Sequence, residues 1–422
     1  MDIPSLFMIP SAVSSGKVHS VFPNSTDADF DFARSSTASR VNSDGLIETI
    51  ASGQARLNYE IEGGLVNTKP SLLLEPQRTN SNTYSNDFTQ TYWSKQNGTT
   101  VSSNQTKSPE GVVNADKLIS ANATSEQYLL NSSISTTSGD DVTVSCFVKK
   151  LDYDYFHIRF TATGGVWVAA SAWYNIDNGT LGQIQSGITA KIEDYGNGWY
   201  RCSATRTATG TGSGRVRLQL ADSDNTANVV GNGTNGTFIY GAQWEVGSYC
   251  TSLIPTNGST QTRSGETCNG AGTSSIFESS EGILYTEISV NGLPSSGFLI
   301  LGLNDGTVNN NVFIEIGTNG LLTFFVISGG TNVASKVSSV NPLNNFVKCA
   351  IRYKLNDVSF WINGTEIHSD TSATMPVGLS QLDFDYGNGA HKFYGNVRDI
   401  RVYNTKEMTD SEVDILLTKI TS

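Results

Sequence analysis

The sequence predicts an all-β protein: an N-terminal segment, two antiparallel β-sandwiches in succession and a short C-terminal helix. Three observations carry this. Period-two alternation runs from end to end, as in "DDVTVSCFVKK", where Val142, Val144, Cys146 and Val148 share one strand face. Glycine and asparagine punctuate that alternation at hairpin-like intervals, with 41 Gly in 422 residues. Helical patterning occurs once, in "MTDSEVDILLTKI", where Val413, Leu416, Leu417 and Ile420 form an apolar stripe behind a Thr409/Glu412 capping box.

Residues 1–82 are irregular, with a hairpin signal at Asn42-Ser43-Asp44-Gly45 and an apolar stop at "PSLLLEPQRTN". Residues 83–262 form the first strand block. Within it, "YGNGWYRCSATRTATG" reads as a tight turn feeding a strand, because Gly196 and Gly198 tolerate positive φ and Trp199-Tyr200 suit a pleated surface. Residues 263–275 end a Gly/Ser/Thr-rich stretch that fits an exposed linker. Residues 276–422 form the second block; there Val347, Cys349, Ile351 and Tyr353 share a face, with turns at Asn356-Asp357 and Asn363-Gly364. A chain of this length holds about two or three domains, each able to bury a core.

Composition narrows the function classes. Charged residues are 16% of the chain, against roughly 25% on average, so the surface is neutral-polar. A net charge of −12, with no Lys/Arg cluster to override it, opposes binding to nucleic acid or anionic lipid. The start carries an acid where a signal peptide is basic, and Pro4 and Pro10 break its apolar run. No stretch of about 18 apolar residues offers a membrane span, so neither secretion by signal peptide nor membrane insertion is expected. The five cysteines stand singly, without C-x-x-C spacing, which argues against a disulfide framework or zinc site; Cys146, Cys202 and Cys349 read as small buried hydrophobes.

Catalytic chemistry finds little support. Gly231 to Gly236 satisfies G-x-G-x-x-G, but Thr237-Phe238-Ile239-Tyr240 continues as a strand, whereas phosphate binding needs a helix N-terminus there. Only four histidines are present. Glycan hydrolysis needs two carboxylates about 5–9.5 Å apart across a cleft. The pairs Asp222/Asp224 and Asp383/Asp385 suit a solvated face or a loop calcium site better than that dyad, and Glu412 and Asp414 diverge on the helix. No catalytic residue, metal ligand or required cofactor is therefore assigned, with calcium left open.

The aromatic pattern suggests binding. In "GVWVAASAWYNID", Val166, Val168, Ala170, Ala172, Tyr174 and Ile176 fall on a core face, and Trp167 and Trp173 on the opposite, semi-polar one. Exposed indoles are what the C–H faces of pyranoses stack on. Burial against a loop or a neighbouring subunit is the commoner fate of such rings. Trp361 is a third candidate with the same alternative.

The phrases "DYGNGWYRCSAT", "GTFIYGAQWEVGSYCTSLIPTNGSTQTR" and "FTQTYWSKQNGTTVSSNQTKSPEGVVNADKLI" resemble a jelly-roll, carbohydrate-binding-like module of tailed-bacteriophage virion fibre proteins. Upstream, "FDFARSSTASRVNSDGLIETI" and "PSLLLEPQRTNSNTYSNDF" resemble the segment preceding that module. Downstream, "DVSFWINGTEI" and "KFYGNVRDIRVYNTKEMTDSEVDILL" resemble the closing strands and helix of a concanavalin A-like (laminin G-like) lectin sandwich. Some members of that lectin group hydrolyse glycans through Glu-x-Asp-x-x-Glu, which this chain lacks. The resemblance implies a non-enzymatic fibre on the head or tail of the virion, exposed on the particle exterior. It would dock to other virion proteins through residues 1–82, form a homo-oligomer (trimer or dimer) and bind host-surface polysaccharide weakly and multivalently. A purely architectural decoration protein and a virion-borne glycan depolymerase are the alternatives.

Overall fold

The computed structural model describes residues 3–23 and 25–422. The chain is nearly all strand, and the one α-helix among the described residues, Asp410–Thr421, comes last. Both sandwiches are present. The first faces two six-stranded antiparallel sheets. One runs, in spatial order, Ser94–Gln96, Tyr128–Leu130, Val216–Ala221, Tyr155–Phe160, Ala170–Asn175 and Thr180–Ile184. The other runs Thr100–Lys107, Val113–Ile119, Gly236–Val246, Asp141–Lys149, Trp199–Thr207 and Thr189–Asp194. Val142, Val144, Cys146 and Val148 meet Phe156, Ile158 and Leu218 between them, as alternation requires.

The Gly-Asn-Gly turn does what its composition suggests. Gly196, Asn197 and Gly198 have φ of 72°, 52° and 76°, which two glycines and an asparagine adopt at little cost. Asp194 is thereby set opposite Tyr200 in the register of the two flanking strands. Trp199 points away from the sandwich core. It is buried on the outer face of its sheet among Ile47, Phe147, Tyr240 and Leu253, and its Nε1 donates to the Lys107 carbonyl at 3.0 Å.

The second sandwich faces a five-stranded sheet onto an eight-stranded one. The five run Thr331–Val337, Leu322–Ser328, Asn311–Ile316, Leu299–Asn304 and Gln381–Asp383. In the larger sheet, Glu281–Ser289 and Gly395–Asn404 pair centrally, with Val347–Lys354, Val358–Ile362 and Thr365–Asp370 on one side. The helix begins at the expected capping box, Thr409 with Glu412, and lays Val413, Leu416, Leu417 and Ile420 onto the outer face of this sheet.

Two expectations about organisation are corrected. Residues 1–82 are expected to be irregular and to lie outside both sandwiches, but the described strands of this segment finish the far sandwich. Leu6–Met8 pairs with Gly395–Asn404 through Leu6 opposite Val402, and Ser71–Leu74 pairs with the same strand through Leu72 opposite Val397. Arg56–Asn58 then adds beside Ser71–Leu74. Without them that strand would present an open edge of unpaired N–H and C=O groups. Residues 263–275 are likewise not an exposed linker. Gln261–Arg263 pairs with Arg78–Asn80, Thr267–Asn269 pairs with Phe30–Ala33, and Glu266, Cys268 and Ala271 are buried. Their partners lie far away in sequence, so Gly/Ser/Thr content read locally suggests flexibility where there is pairing.

These two segments meet in a buried ionic network. Glu266 accepts from Arg34 Nη1 at 2.7 Å, from Arg56 Nε at 2.9 Å and from the Glu75 backbone N–H at 2.8 Å. Glu75 in turn pairs with Arg56 at 2.8 Å and Arg263 at 2.7 Å, and accepts from the Ser252 hydroxyl at 2.6 Å. Burial alone would raise the Glu75 carboxyl, but Arg263 and Arg56 overcome it and hold the group down at about 2. Removing Glu266 strands the Arg34 guanidinium in a water-poor interior and leaves Arg56 with Glu75 alone. Glu266→Ala is therefore expected to lower unfolding free energy by about 3–5 kcal/mol in urea titration. A loss below about 1 kcal/mol would show that the network contributes little.

Candidate functional site

None of the six tryptophans is exposed. The platform expected at Trp167, Trp173 and Trp361 is therefore corrected, residue by residue. A short 3-10 turn at Thr163–Gly165 precedes Trp167, and the strand starts only at Ala170, so alternation does not extend back to it. Val168 is consequently 75% exposed, while Trp167 turns inward, 5.0 Å from the Phe160 ring and 5.9 Å from Trp244. Trp173 does occupy the outer face of its sheet. There it stacks on His157 at 4.2 Å, and the loop that follows Ala221 covers it, Thr226 accepting from its Nε1 at 3.0 Å. Trp361 lies under the C-terminal helix, in a cluster with Leu416 and Leu417.

The aspartate pairs are engaged in hydrogen bonds, several of them to distant segments. Asp383 accepts from Gly270 N–H at 2.6 Å and from Asn304 Nδ2 at 2.7 Å. Asp385 accepts from Asn269 Nδ2 at 2.5 Å and from the N–H groups of Gly387 and Gly389 at 2.7 and 3.2 Å. Asp224 accepts from Gln183 N–H at 2.7 Å, and Asp222 from Val230 N–H at 3.1 Å. Asp385 thus caps its own turn, whereas Asp383 and Asp224 tie distant segments together. Among the described residues no group of three or more His, Cys, Asp or Glu is placed to hold a metal.

An aromatic surface lies elsewhere, on the outer face of the five-stranded sheet. Val312, Ile314, Ile316, Phe324 and Val326 point into the core, which turns Phe313, Glu315, Phe325 and Ile327 outward. Phe313 and Phe325 stack at 4.9 Å with an interplanar angle of 15°. Gly302 makes room, since a Cβ there would stand 2.4 Å from that of Phe313. The Asp385-capped turn carries Tyr386 over Phe313, edge to face at 5.1 Å. His391 and Phe298 extend the row, 5.4 Å apart, and Phe298 is 42% exposed.

Glu315 sits half-buried on the same face. Its carboxyl forms no hydrogen bond or ion pair among the described residues, and burial alone pushes it up to about 7. The neighbouring Tyr386 hydroxyl is raised as well, first by burial and then by the Glu315 charge. The arrangement offers flat, partly exposed rings beside one carboxyl that can donate or accept a hydrogen bond near neutral pH. Sequence reading that followed tryptophan overlooked it. The available signal was the alternation in "NVFIEIGTNGLLTFFVIS", which already puts Phe313 and Glu315 opposite the aliphatic core face.

No family model and no curated protein matches the chain. Among solved structures it is similar to the Ruminococcus gnavus IT-sialidase CBM40 bound to alpha2,3 sialyllactose, at 13% identity and a TM-score of 0.28, over 33% of this chain and 83% of that one. It is similar to the NanB sialidase from Streptococcus pneumoniae at 17% identity and a TM-score of 0.28, over 34% of this chain and 24% of that one. Mouse laminin alpha1 chain, domains LG4-5, shares 11% identity at a TM-score of 0.23, over 83% and 92% of the two chains. At such identities and TM-scores these likenesses assign neither family nor ligand.

Because burial pushes the folded Glu315 carboxyl up to about 7 and an unfolded one keeps the ordinary 4.5, the fold favours its protonated form. Its contribution to stability is complete below the unfolded value and is lost as pH rises through the folded one. Glu315→Gln is thus expected to raise the melting temperature relative to wild type at pH 8 and to have no such effect at pH 4. An equal shift at both pH values would contradict the assignment.

Proposed function

We propose that this chain is a virion structural protein of a tailed bacteriophage, a head- or tail-attached fibre that supports adsorption by binding host-surface glycans. The observation that carries the binding part is the aromatic row of Phe325, Tyr386 and Phe298 beside Glu315. Pyranose C–H faces stack on such rings, and the carboxyl is left free to engage hydroxyl groups. Weak sites of this kind reach useful strength through repetition across copies, so a homo-oligomer, trimer or dimer, belongs to the same reading. The phage part is supported by the resemblance of the jelly-roll phrases and of the segment before them to virion fibre proteins.

Docking to other virion proteins falls, in this reading, on apolar side chains that the N-terminal segment leaves exposed, among them Ile3, Val21 and Phe22. The protein binds without turning its ligand over. Support for that is the isolation of Glu315, whose shift has burial as its single cause and no second carboxylate acting on it. No cofactor is assigned in this reading, with calcium left open, and the particle exterior is the expected location.

The test is retention of purified capsular polysaccharide and lipopolysaccharide O-chain on the immobilised full chain. Wild type is expected to retain at least one preparation without shortening it. Phe325→Ala and Tyr386→Ala are each expected to weaken retention by about tenfold. Retention unchanged in both variants would remove the aromatic row from the account. A wild type that retains nothing would favour the architectural role, and shortened chains in size-exclusion profiles would favour the depolymerase.

A further inference from the structure

A cavity of about 560 Å³ opens where the three parts of the chain meet. One wall is the outer face of the jelly-roll sheet, carrying Arg201, Ser203 and Thr205 from a single strand. The facing walls come from the N-terminal segment and from the rim of the second sandwich, through residues such as Asn291 and Asn396. The volume lies within the roughly 300–1,000 Å³ of small-ligand sites. None of its lining residues belongs to the aromatic row, so this site stands apart from the one proposed above.

The charges around the cavity are unequally matched. Of its lining cations, Arg40 pairs with Glu48 at 2.7 Å, Lys191 with Glu193 at 2.8 Å and Arg398 with Glu60 at 3.3 Å. The lining carboxylates are engaged as well. Glu75 belongs to the buried network, Glu62 faces Arg398 at 3.6 Å, and Asp194 accepts from Gly196 N–H at 2.7 Å. Arg201 is the exception, since no ion pair joins it to a carboxylate among the described residues.

Arg201 is 2% exposed, and its Nε is buried without a hydrogen-bond partner. What it has is Ser145 Oγ at 3.1 Å, the Tyr195 hydroxyl and the Phe147 ring at 5.1 Å from the guanidinium carbon. Burial works against its charge, yet Cys250, Tyr195, Glu193 and Glu245 favour it without ion-pair contact and hold the guanidinium above its usual range, so what remains unused is donor capacity, at Nε above all. The group that suits it is a carboxylate, which can take two parallel N–H···O bonds from one guanidinium. Around it, the Ser203 and Thr205 hydroxyls donate to the Lys191 and Ser248 carbonyls at 3.4 and 3.3 Å and can still accept, and Asn291, whose Oδ1 is held by Asn396 Nδ2 at 2.8 Å, keeps its Nδ2 for a ligand that also carries hydroxyl groups.

We propose that this cavity binds an acidic sugar of one or two rings, with Arg201 seating the carboxylate and the hydroxyl and amide side chains reading the ring hydroxyls.

Calorimetric titration of the full chain with glucuronate and galacturonate, against glucose and galactose as neutral counterparts, tests it. At least one uronate is expected to bind about tenfold or more tightly than its neutral counterpart, the margin that a buried charge-assisted pair supplies. Arg201→Gln should remove that preference. Asn345→Trp, at an exposed lining position on the second sandwich, should weaken binding by obstruction, which keeps the test open if the first variant does not fold. Phe325→Ala should leave uronate binding unchanged, separating this site from the aromatic row. Absence of uronate binding to the folded wild type, equal affinity for the neutral sugars, or unaltered binding by folded Arg201→Gln would each overturn the proposal.

Discussion

Buried charge must be paired, and that constraint organises this molecule. Arg34, Arg56 and Glu75 come from the N-terminal segment, and Arg263 and Glu266 from the stretch between the sandwiches, all nearly inaccessible to water. Any rearrangement separating these segments leaves an uncompensated ion in a low-dielectric interior. The network therefore fixes which distant segments lie together. The Arg78–Asn80 and Gln261–Arg263 pairing and the seating of Ser71–Leu74 beside Gly395–Asn404 run outward from it. Segments far apart in sequence thus pair directly, Leu6 lying opposite Val402.

That closure decides which surfaces remain available. On the eight-stranded sheet, the N-terminal strands cover one edge of the Gly395–Asn404 strand and the C-terminal helix covers part of the outer face, taking Trp361 with it. On the jelly roll, the outer face around Trp199 is roofed by Ile47 and Leu253, and the gap left beside that roof is the cavity at Arg201. The outer face of the five-stranded sheet keeps its aromatic row partly open. The cavity at Arg201 is thus a consequence of where the N-terminal segment docks.

Much of the fold was legible because it is local. Alternation at Val142 to Val148, the left-handed turn at Gly196 to Gly198 and the Thr409/Glu412 cap depend on neighbours in sequence, and each appears as expected. What was not legible depends on partners far away. Glu266 reads as a polar residue in a Gly/Ser/Thr run until Arg34 and Arg56 are brought to it. Trp173 does lie on the predicted outer face, but the loop over it cannot be inferred from strand periodicity. Trp167 failed for a local reason, the turn at Thr163–Gly165 interrupting the alternation. The aromatic row was half legible: strand alternation gives Phe313 and Glu315, whereas Tyr386 arrives from a loop whose course is set by the Asp385 cap.

The claim on which the rest stands is that the N-terminal segment and the second sandwich form one cooperative body clamped by the buried ions. Native-state hydrogen exchange read by mass spectrometry tests it directly, by comparing peptides covering residues 56–74 with peptides covering 395–404. The account requires the paired backbone amides of both regions to exchange slowly and through the same opening event, with matching dependence on added denaturant. Fast exchange of 56–74 at low denaturant, with 395–404 still protected, would mean that the segment is a detachable arm and would contradict the account.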